Sequence, residues 1–309
     1  MVWLSSLRLR SSDPRARRKA IEALASKGGF RPLKLLISAL NDPDGEVRCA
    51  AAKALGSLVD ARSVDALVSA LTDDNSGVRA ASARALQALD DPRRVGPLLK
   101  ASRDGDPAVR AAAIGAIGSE PSQAVLTAIL NSLGDPDPRV RLTAAQALGE
   151  CGDPAHLPNW LTLLEDSHFE VRLTAINYLK RIHEPRARTS IRLRLADADN
   201  DVRAAAAQAL GEMRDSLAVE QLVLALTDEE PSVRHAAMGA LQAIDLHWAA
   251  SAAAQRTIPC LKSLTSDPQP WISSAAVQVL SRLETAAAKR NGQNHPAEAG
   301  APSQSLQGV

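Results

Sequence analysis

The pattern of apolar and polar positions repeats along this chain with a fixed step. The dipeptide Val-Arg recurs every 31 residues, at 47–48, 78–79, 109–110, 140–141, 171–172, 202–203 and 233–234. A Leu or Ile follows each Val by eight residues, and an Asp precedes each Arg by six. Ala16-Arg17 extends the series one step toward the N-terminus. Seven aligned repetitions do not arise by chance, so the sequence predicts a repeat protein.

Each 31-residue unit predicts two helices. The first keeps apolar residues at helical spacing, as in the stretch from Val64 to Leu71. The second starts near the Val-Arg pair and continues through an Ala-rich face, as in VRLTAAQALGE. An acidic residue stands just before the second helix, where it can cap the helix N-terminus. We therefore interpret the row Asp44, Asp106, Asp137 and Asp199 as helix caps and not as calcium ligands, because no repeat clusters the several oxygens that calcium needs.

A single helix pair of this size cannot bury its apolar stripe alone, so the units must stack on one another. We expect an all-α fold, an α-solenoid of about nine stacked helix pairs over residues 1–284, with terminal caps at about 1–29 and 246–284. Trp3, Leu4 and Leu7 are expected to pack inward at the first cap. Trp248 and Trp271 are expected to cover the core at the second. Residues 285–309 lose the apolar period and predict a disordered tail.

The repeat unit resembles a known family. The pattern D-x-x-x-x-V-R-x-x-A-A-x-A-L-G is similar to the short HEAT-like repeats first described in phycobilin lyases, and it covers residues 13 to about 283. The resemblance is specific for the fold and not for function, because such repeats occur in chromophore lyases, deoxyhypusine hydroxylases and plain binding proteins. It also implies that the second helices line the concave face of the solenoid.

The Asp and Arg columns predict a ladder of ion pairs between successive repeats. The first unit has an Arg but no Asp, and the last has an Asp but no Arg, so each Asp is predicted to reach back to the Arg of the preceding unit. The predicted pairs are Arg17–Asp42, Arg48–Asp73, Arg79–Asp104, Arg110–Asp135, Arg141–Asp166, Arg172–Asp197, Arg203–Asp228 and Arg234–Asp267.

Composition narrows the partners and the compartment. Hydrophobic residues make up 45% of the chain and aromatic residues 2%, so the core must be built mainly from Ala, Leu and Val. A formal charge of +1 gives no general drive toward nucleic acid or a membrane surface. The three cysteines lie far apart, and the N-terminus lacks the features of a signal segment, so we expect a cytoplasmic protein.

The motifs do not predict an enzyme. A deoxyhypusine hydroxylase is expected to carry several His-Glu pairs for two irons, whereas this chain has one, His183-Glu184, at a predicted helix end. Cys49 and Cys151 have no His fixed nearby by the repeat. We therefore predict no catalytic residue, no metal and no cofactor.

A partner surface is predicted on the second helices, at positions two, six and ten after each Val. Charges there are few and mixed, which favours a protein segment over a nucleic acid duplex. The central units are the least typical. Phe169 occupies a predicted turn, Tyr178 replaces an Ala, and Arg188 and Arg192 occupy columns that are apolar elsewhere. The predicted binding residues are Phe169, Leu173, Asn177, Tyr178, Lys180, Arg181, Arg188 and Arg192.

Two interpretations of Arg188 and Arg192 stay open. Their aliphatic stems can pack in the framework while the guanidinium groups pair with acids such as Glu165 or Glu220. Alternatively, they form a positively charged docking patch for an anionic group, together with Lys180 and Arg181. Trp160, in a column otherwise held by Leu and Ile, is predicted to be a core residue.

The function that the sequence favours is a protein–protein interaction scaffold that binds a partner segment along the solenoid. One alternative is a phycobilin-lyase-like role, and another is an anion or nucleic-acid binder that uses the central basic patch. No membrane partner is expected. The identity of the partner and the oligomeric state stay open.

Overall fold

A computed structural model of the chain describes residues 8–26, 30–151 and 154–293. Within those ranges about 18 helices form and no strand occurs, so the predicted all-α class is confirmed. The first half contains α1 (Pro14–Ala25), α2 (Phe30–Ala39), α3 (Gly45–Leu58), α4 (Val64–Ala70), α5 (Ser76–Gln87), α6 (Val95–Ala101), α7 (Pro107–Ile117), α8 (Gln123–Ser132) and α9 (Pro138–Cys151). The second half contains α10 (Leu157–Leu163), α11 (Phe169–Arg181), α12 (Arg188–Leu193), α13 (Asn200–Glu212), α14 (Val219–Ala225), α15 (Pro231–Ile244), α16 (Ala252–Gln255), α17 (Ile258–Leu264) and α18 (Pro270–Gln293).

The helices group into two compact units, residues 1–158 and 159–309. In the first unit the second helices of successive repeats, α1, α3, α5, α7 and α9, pack side by side, and the first helices α2, α4, α6 and α8 form another layer on them. In the second unit α11, α13 and α15 pack side by side, with α12 and α14 on the other layer. A single continuous solenoid over residues 1–284 stays a prediction.

The repeating columns build the core of each unit. The Val of every Val-Arg pair is completely buried, from Val47 to Val233, and the Leu or Ile eight residues later is at most 1% exposed. Apolar residues four and eight positions apart lie on one face of a helix, which is why these columns face the neighbouring helices. The 31-residue period is therefore a packing period.

The acidic residues before the second helices are N-caps, as predicted. Asp44, Asp106 and Asp199 each accept a hydrogen bond from a backbone N–H of the following helical turn. Asp137 accepts one from the Arg139 amide at 2.9 Å. Glu230 occupies the same position without a side-chain cap, since its longer side chain suits this geometry less well. Among the described residues no group of three or more His, Cys, Asp or Glu could hold a metal ion.

The C-terminal end differs from the prediction in two respects. Helix α18 continues to Gln293, well past the expected boundary at 284, because the Ala-rich stretch after Glu284 consists of strong helix formers even though it lacks an apolar period. Trp248 is buried as predicted, but Trp271 lies in the first turn of α18 and is 48% exposed. Trp3, Leu4, Leu7 and residues 294–309 lie outside the described ranges.

Candidate interaction groove

The predicted ladder of ion pairs is present in six rungs. In the Arg48–Asp73 rung, Nε and Nη2 of the Arg donate to the two carboxylate oxygens at 2.7 and 2.8 Å, while Nη1 donates to the carbonyl of Asp42 at 2.9 Å. Each Asp reaches back to the Arg of the preceding repeat, which is the predicted direction. The other five rungs are Arg17–Asp42, Arg79–Asp104, Arg110–Asp135, Arg172–Asp197 and Arg203–Asp228.

The last predicted rung, Arg234–Asp267, is wrong. Both residues are described, and no ion pair joins them: Arg234 donates to the carbonyls of Asp228 and Glu229, and Asp267 accepts the Gln269 amide. The physical reason is the extra segment between α15 and α17, which forms a 3-10 turn at Trp248–Ala250 and the short helix α16. The rung Arg141–Asp166 would join the two units and stays a prediction.

The rungs also change the acidity of their carboxyl groups. The hydrogen bond from the Arg48 guanidinium holds the pKa of Asp73 below its ordinary value, and burial opposes this shift only in part. The Arg79 guanidinium lowers the pKa of Asp104 in the same way. These carboxylates are therefore charged at any pH near neutrality, and each is at most 14% exposed.

The second unit contains a groove across the exposed faces of α11, α13 and α15. Its volume is about 630 Å³, and small side chains form much of its surface. The residues at the predicted second, sixth and tenth positions line it together. These are Leu173, Ala204 and His235, then Asn177, Gln208 and Gly239, then Glu212 and Ala243. Of the eight predicted binding residues, only Leu173 and Asn177 belong to this lining.

Close helix approach shapes the groove floor. A Cβ placed on Gly211 of α13 would lie 2.5 Å from the Cα atom of Ala240 in α15, so only Gly allows this spacing. In α11 the same column holds Lys180 instead of Gly, and its Nζ lies 3.5 Å from the Glu212 carboxylate. This column, nine residues after each Val, is the signal that the sequence analysis missed. Where this column holds Gly211, the next helix approaches to a distance that no larger residue allows.

Tyr178 is not a surface residue. It is 5% exposed, and its ring stacks on Trp160 with the centroids 3.9 Å apart and the planes 12° apart. Trp160 is 1% exposed, in agreement with the predicted core position. An aromatic ring in an inward-facing column packs into the core when a neighbouring column supplies a matching flat face. The Tyr for Ala exchange is therefore compensated by the Trp for Leu exchange.

Phe169 is also placed differently from the prediction. It is the first residue of α11 and not part of the preceding turn, and it is half-buried. Its ring stacks against His168, with centroids 5.3 Å apart. His168 occupies the N-cap position of α11, and its side chain makes no cap bond, whereas Asp or Asn caps the second helices α3, α5, α7 and α13.

The basic side chains of the centre are held by groups of the chain itself. Arg192 donates to the Asp215 carboxylate at 2.6 Å, and Arg188 donates to the Met213 carbonyl at 2.9 Å. The expected partners Glu165 and Glu220 were wrong, because Glu220 pairs with Arg256 and Asp215 begins the turn nearest to α12. Lys180 lies 3.5 Å from the Glu212 carboxylate, so Lys180, Arg188 and Arg192 all contact groups of the chain itself, which favours the structural interpretation. The docking patch for an anion stays a prediction.

Replacing Arg192 by Leu should lower stability. The Asp215 side chain is 4% exposed, and it would lose its charged partner while it keeps the bond from the Leu217 amide. We expect a loss of about 1–2 kcal/mol in unfolding free energy, measured by urea denaturation. Arg256 is the control, because both it and its partner Glu220 are largely exposed, and Arg256→Leu should change stability by less than about 0.5 kcal/mol. Raised stability in Arg192→Leu would contradict the structural role.

Catalytic arrangements remain unsupported in the described residues. Glu184 of the His183-Glu184 pair caps the following 3-10 turn and binds Arg186, so this pair is a helix end, as the sequence suggested. Cys151 shares a cavity of about 480 Å³ with His156. Burial raises the pKa of the Cys151 thiol, and the Glu150 carboxylate raises it further. A thiol that stays protonated is a poor nucleophile.

These features define a class, an α-helical repeat protein with an open groove over the second helices of its second unit. Comparison with known families gives the finer assignment. The family of HEAT repeats matches residues 2–87, 33–118, 64–134, 95–159, 124–194 and 190–256. The matches span most of the chain, so this protein belongs to the HEAT repeat family.

Several solved structures are similar to this chain, and the first two named here share its fold. YibA of Escherichia coli is 18% identical with a TM-score of 0.58, over 88% of this chain and 98% of YibA. An engineered protein is 22% identical with a TM-score of 0.54, over 96% and 95%. The complex of CpcE and CpcF of phycocyanin lyase from Nostoc is 24% identical with a TM-score of 0.44, over 79% and 94%. A search of curated proteins gave no match. In the part of the chain described, no helix is long and apolar enough to cross a membrane.

Proposed function

We propose that this HEAT repeat protein is a scaffold that binds a segment of a partner protein in the groove of α11, α13 and α15. The observation that carries the proposal is the groove itself, in which residues from three successive repeats converge on one surface of about 630 Å³. HEAT repeats use stacked second helices as extended binding surfaces, which supports the same role.

The chemistry of the groove supports an extended or helical peptide as the occupant. Ala204, Ala236 and Gly239 carry little or no side chain, so a partner backbone can approach the helices closely. The amides of Asn177 and Gln208 are exposed and offer both donors and acceptors to a peptide backbone. Glu212 and His235 at the sides supply polar contacts. A surface of this kind recognises a main chain first and side chains second.

We also propose that the protein is cytoplasmic, and the three cysteines support this. Cys49, Cys151 and Cys260 are all free thiols, which suits a reducing compartment. No feature of the groove favours a bilin over a peptide. The anion-binding alternative is less well supported, because Lys180, Arg188 and Arg192 contact groups of the chain itself.

Site-specific photocrosslinking in the native host tests the groove. A photoreactive phenylalanine derivative replaces Gln208 in the groove or Gln221 on the first helix α14, and both positions are exposed. We expect a discrete crosslinked partner from position 208 and none from position 221. Equal crosslinking at both positions would contradict a role for the groove.

A blocking substitution sharpens the same experiment. A Cβ on Gly239 would meet no atom within 4 Å, so Gly239→Trp can fill the groove without disturbing the core. We expect it to weaken crosslinking from position 208 about tenfold, which corresponds to roughly 1.4 kcal/mol of binding free energy. An unchanged melting temperature shows that the fold is retained. Undiminished crosslinking would show that the partner binds elsewhere.

A further inference from the structure

The eighth and last Arg of the predicted ladder, Arg234, is arranged like the others but has no carboxylate partner among the described residues. Nη1 of Arg234 donates to the carbonyls of Asp228 and Glu229, at 2.6 and 2.8 Å. In the complete rungs, Nη1 donates to the same two backbone positions, as Arg48 does to Asp42 and Pro43. The guanidinium group of Arg234 is therefore held in the pose in which its Nε–Nη2 edge would meet an Asp. No carboxylate of the described chain contacts that edge.

Arg234 also lines a small cavity together with a second guanidinium group, that of Arg282. The cavity has a volume of about 270 Å³, and Arg234, Arg282 and His235 line it together with Gln278 and Met238. Arg282 donates to the Met238 sulfur at 3.5 Å, a weak contact, and makes no ion pair with a described residue. No acidic residue lines the cavity. Two cations without counter-charge in one concave site attract an anion.

A wider groove continues the positive surface along α18. Its volume is about 860 Å³, and Arg282 lines it as well. Lys289 and Arg290 follow on the same side of the helix, beside the exposed Leu246. Glu284 is two residues beyond Arg282, about 200° around the helix, so it lies on the other face. The extra segment that interrupts the 31-residue period supplies the opposite wall of this groove, at Leu246–Ala250.

We propose that Arg234 and Arg282 form a binding site for a carboxylate of an acidic segment in a partner protein. In this arrangement an Asp or Glu of the partner takes the place that Asp267 would hold in a complete rung with Arg234. Further acidic and apolar side chains of the segment lie along α18, toward Lys289, Arg290 and Leu246. The cavity and the α11–α13–α15 groove share only His235 in their linings, and neither Arg234 nor Arg282 lines that groove, so the proposal does not depend on what the groove binds.

The other rungs show why the ligand is a carboxylate. Six Arg residues of this chain bind an Asp in the same pose, through the same two nitrogens, with N–O distances of 2.5–2.9 Å. A planar, bidentate partner fits such an edge. Because two carbonyls already fix the guanidinium group of Arg234, binding costs less side-chain entropy than it would for a mobile Arg.

The experiment uses a fluorescein-labelled peptide of alternating Asp and Leu residues and the full chain, followed by fluorescence anisotropy. We expect saturable binding, weakened roughly tenfold or more by Arg234→Gln or Arg282→Gln. Arg256→Gln is the matched control, because Arg256 is exposed, belongs to the same unit and carries the same charge. That control should stay within about twofold of the unsubstituted chain.

Each other outcome counts against the proposal. Equal weakening by all three substitutions would show that only net charge matters. Absence of saturable binding would remove the site. Tighter binding of the same peptide with phosphoserine in place of Asp would show that the edge prefers a phosphate, which contradicts the carboxylate assignment. Melting curves of both variants verify that the fold is intact. We expect their melting temperatures to stay close to that of the unsubstituted chain, since neither Arg holds a carboxylate of the described chain.

Discussion

Gly211→Ala is expected to destabilise the protein by about 2–3 kcal/mol, although Gly to Ala exchange within a helix normally stabilises. A Cβ at this position would lie 2.5 Å from the Cα atom and 2.8 Å from the Cβ atom of Ala240. The obstacle is backbone, so relief requires α13 and α15 to move apart. That movement would open the core between two repeats. Urea denaturation of the variant measures the loss.

Gly239→Ala is the matched control, because it lies in α15 beside the same interface. Nothing lies within 4 Å of a Cβ at this position, so the substitution removes only the flexibility of the unfolded chain. We expect a gain of about 0.5–1 kcal/mol. If both Gly substitutions stabilised the protein, the close approach of the two helices would be wrong.

The glycine column explains how far the sequence could predict the packing. Val and Leu columns recur at every repeat because each must face a neighbouring helix, and their period identified the fold. Gly56, Gly118 and Gly211 share another column, and in each a Cβ would come within 2.9 Å of the next repeat. The Gly residues look like ordinary gaps in the apolar pattern, because a close approach appears only when two helices are placed together.

Exceptional residues in the centre were harder to interpret than the repeating ones. Comparison with a column shows that Tyr178 and Arg192 are unusual, but it does not show what compensates them. Tyr178 is buried because Trp160, eighteen positions earlier, offers a stacking face, and Arg192 is held by Asp215 of the next repeat. Such compensations are pairwise, within one repeat for Trp160 and Tyr178 and between repeats for Arg192 and Asp215, so a residue considered alone is easily taken for a binding residue.

The end of the ladder shows the same limit in another form. The count of Arg and Asp residues predicted eight rungs, and it fixed the direction of pairing that six rungs display. It could not predict that the segment after α15 would fold into a 3-10 turn and α16, and thereby place Asp267 out of reach of Arg234. The number of inserted residues was visible in the sequence, whereas the position to which they move the last repeat depends on their three-dimensional packing.

Removing a single carboxylate from the ladder should have a large effect on stability. Asp104→Asn keeps the shape of the side chain but removes the negative charge of the carboxylate that pairs with Arg79. The Arg79 side chain is 18% exposed. We expect a loss of about 2–3 kcal/mol in unfolding free energy at neutral pH, because a partly buried guanidinium group is left without its counter-charge. Asp65→Asn is the control: Asp65 pairs with Arg93, is 79% exposed and should cost less than about 1 kcal/mol.

The pH dependence of that loss distinguishes a charge effect from a packing defect. The Arg79 hydrogen bond lowers the pKa of Asp104 below its ordinary value of 3.8, so the unfolded chain takes up the proton first as the solution is acidified. The stability that the carboxylate contributes is thus fully present above about pH 4 and is lost as the pH falls through the lowered pKa of the folded state. The unfolding free energies of the unsubstituted chain and of Asp104→Asn should therefore converge over that interval. Urea titrations at successive pH values measure this convergence. A difference that stayed constant down to the lowest pH would mean that the amide disturbs packing and that the ladder charge contributes little.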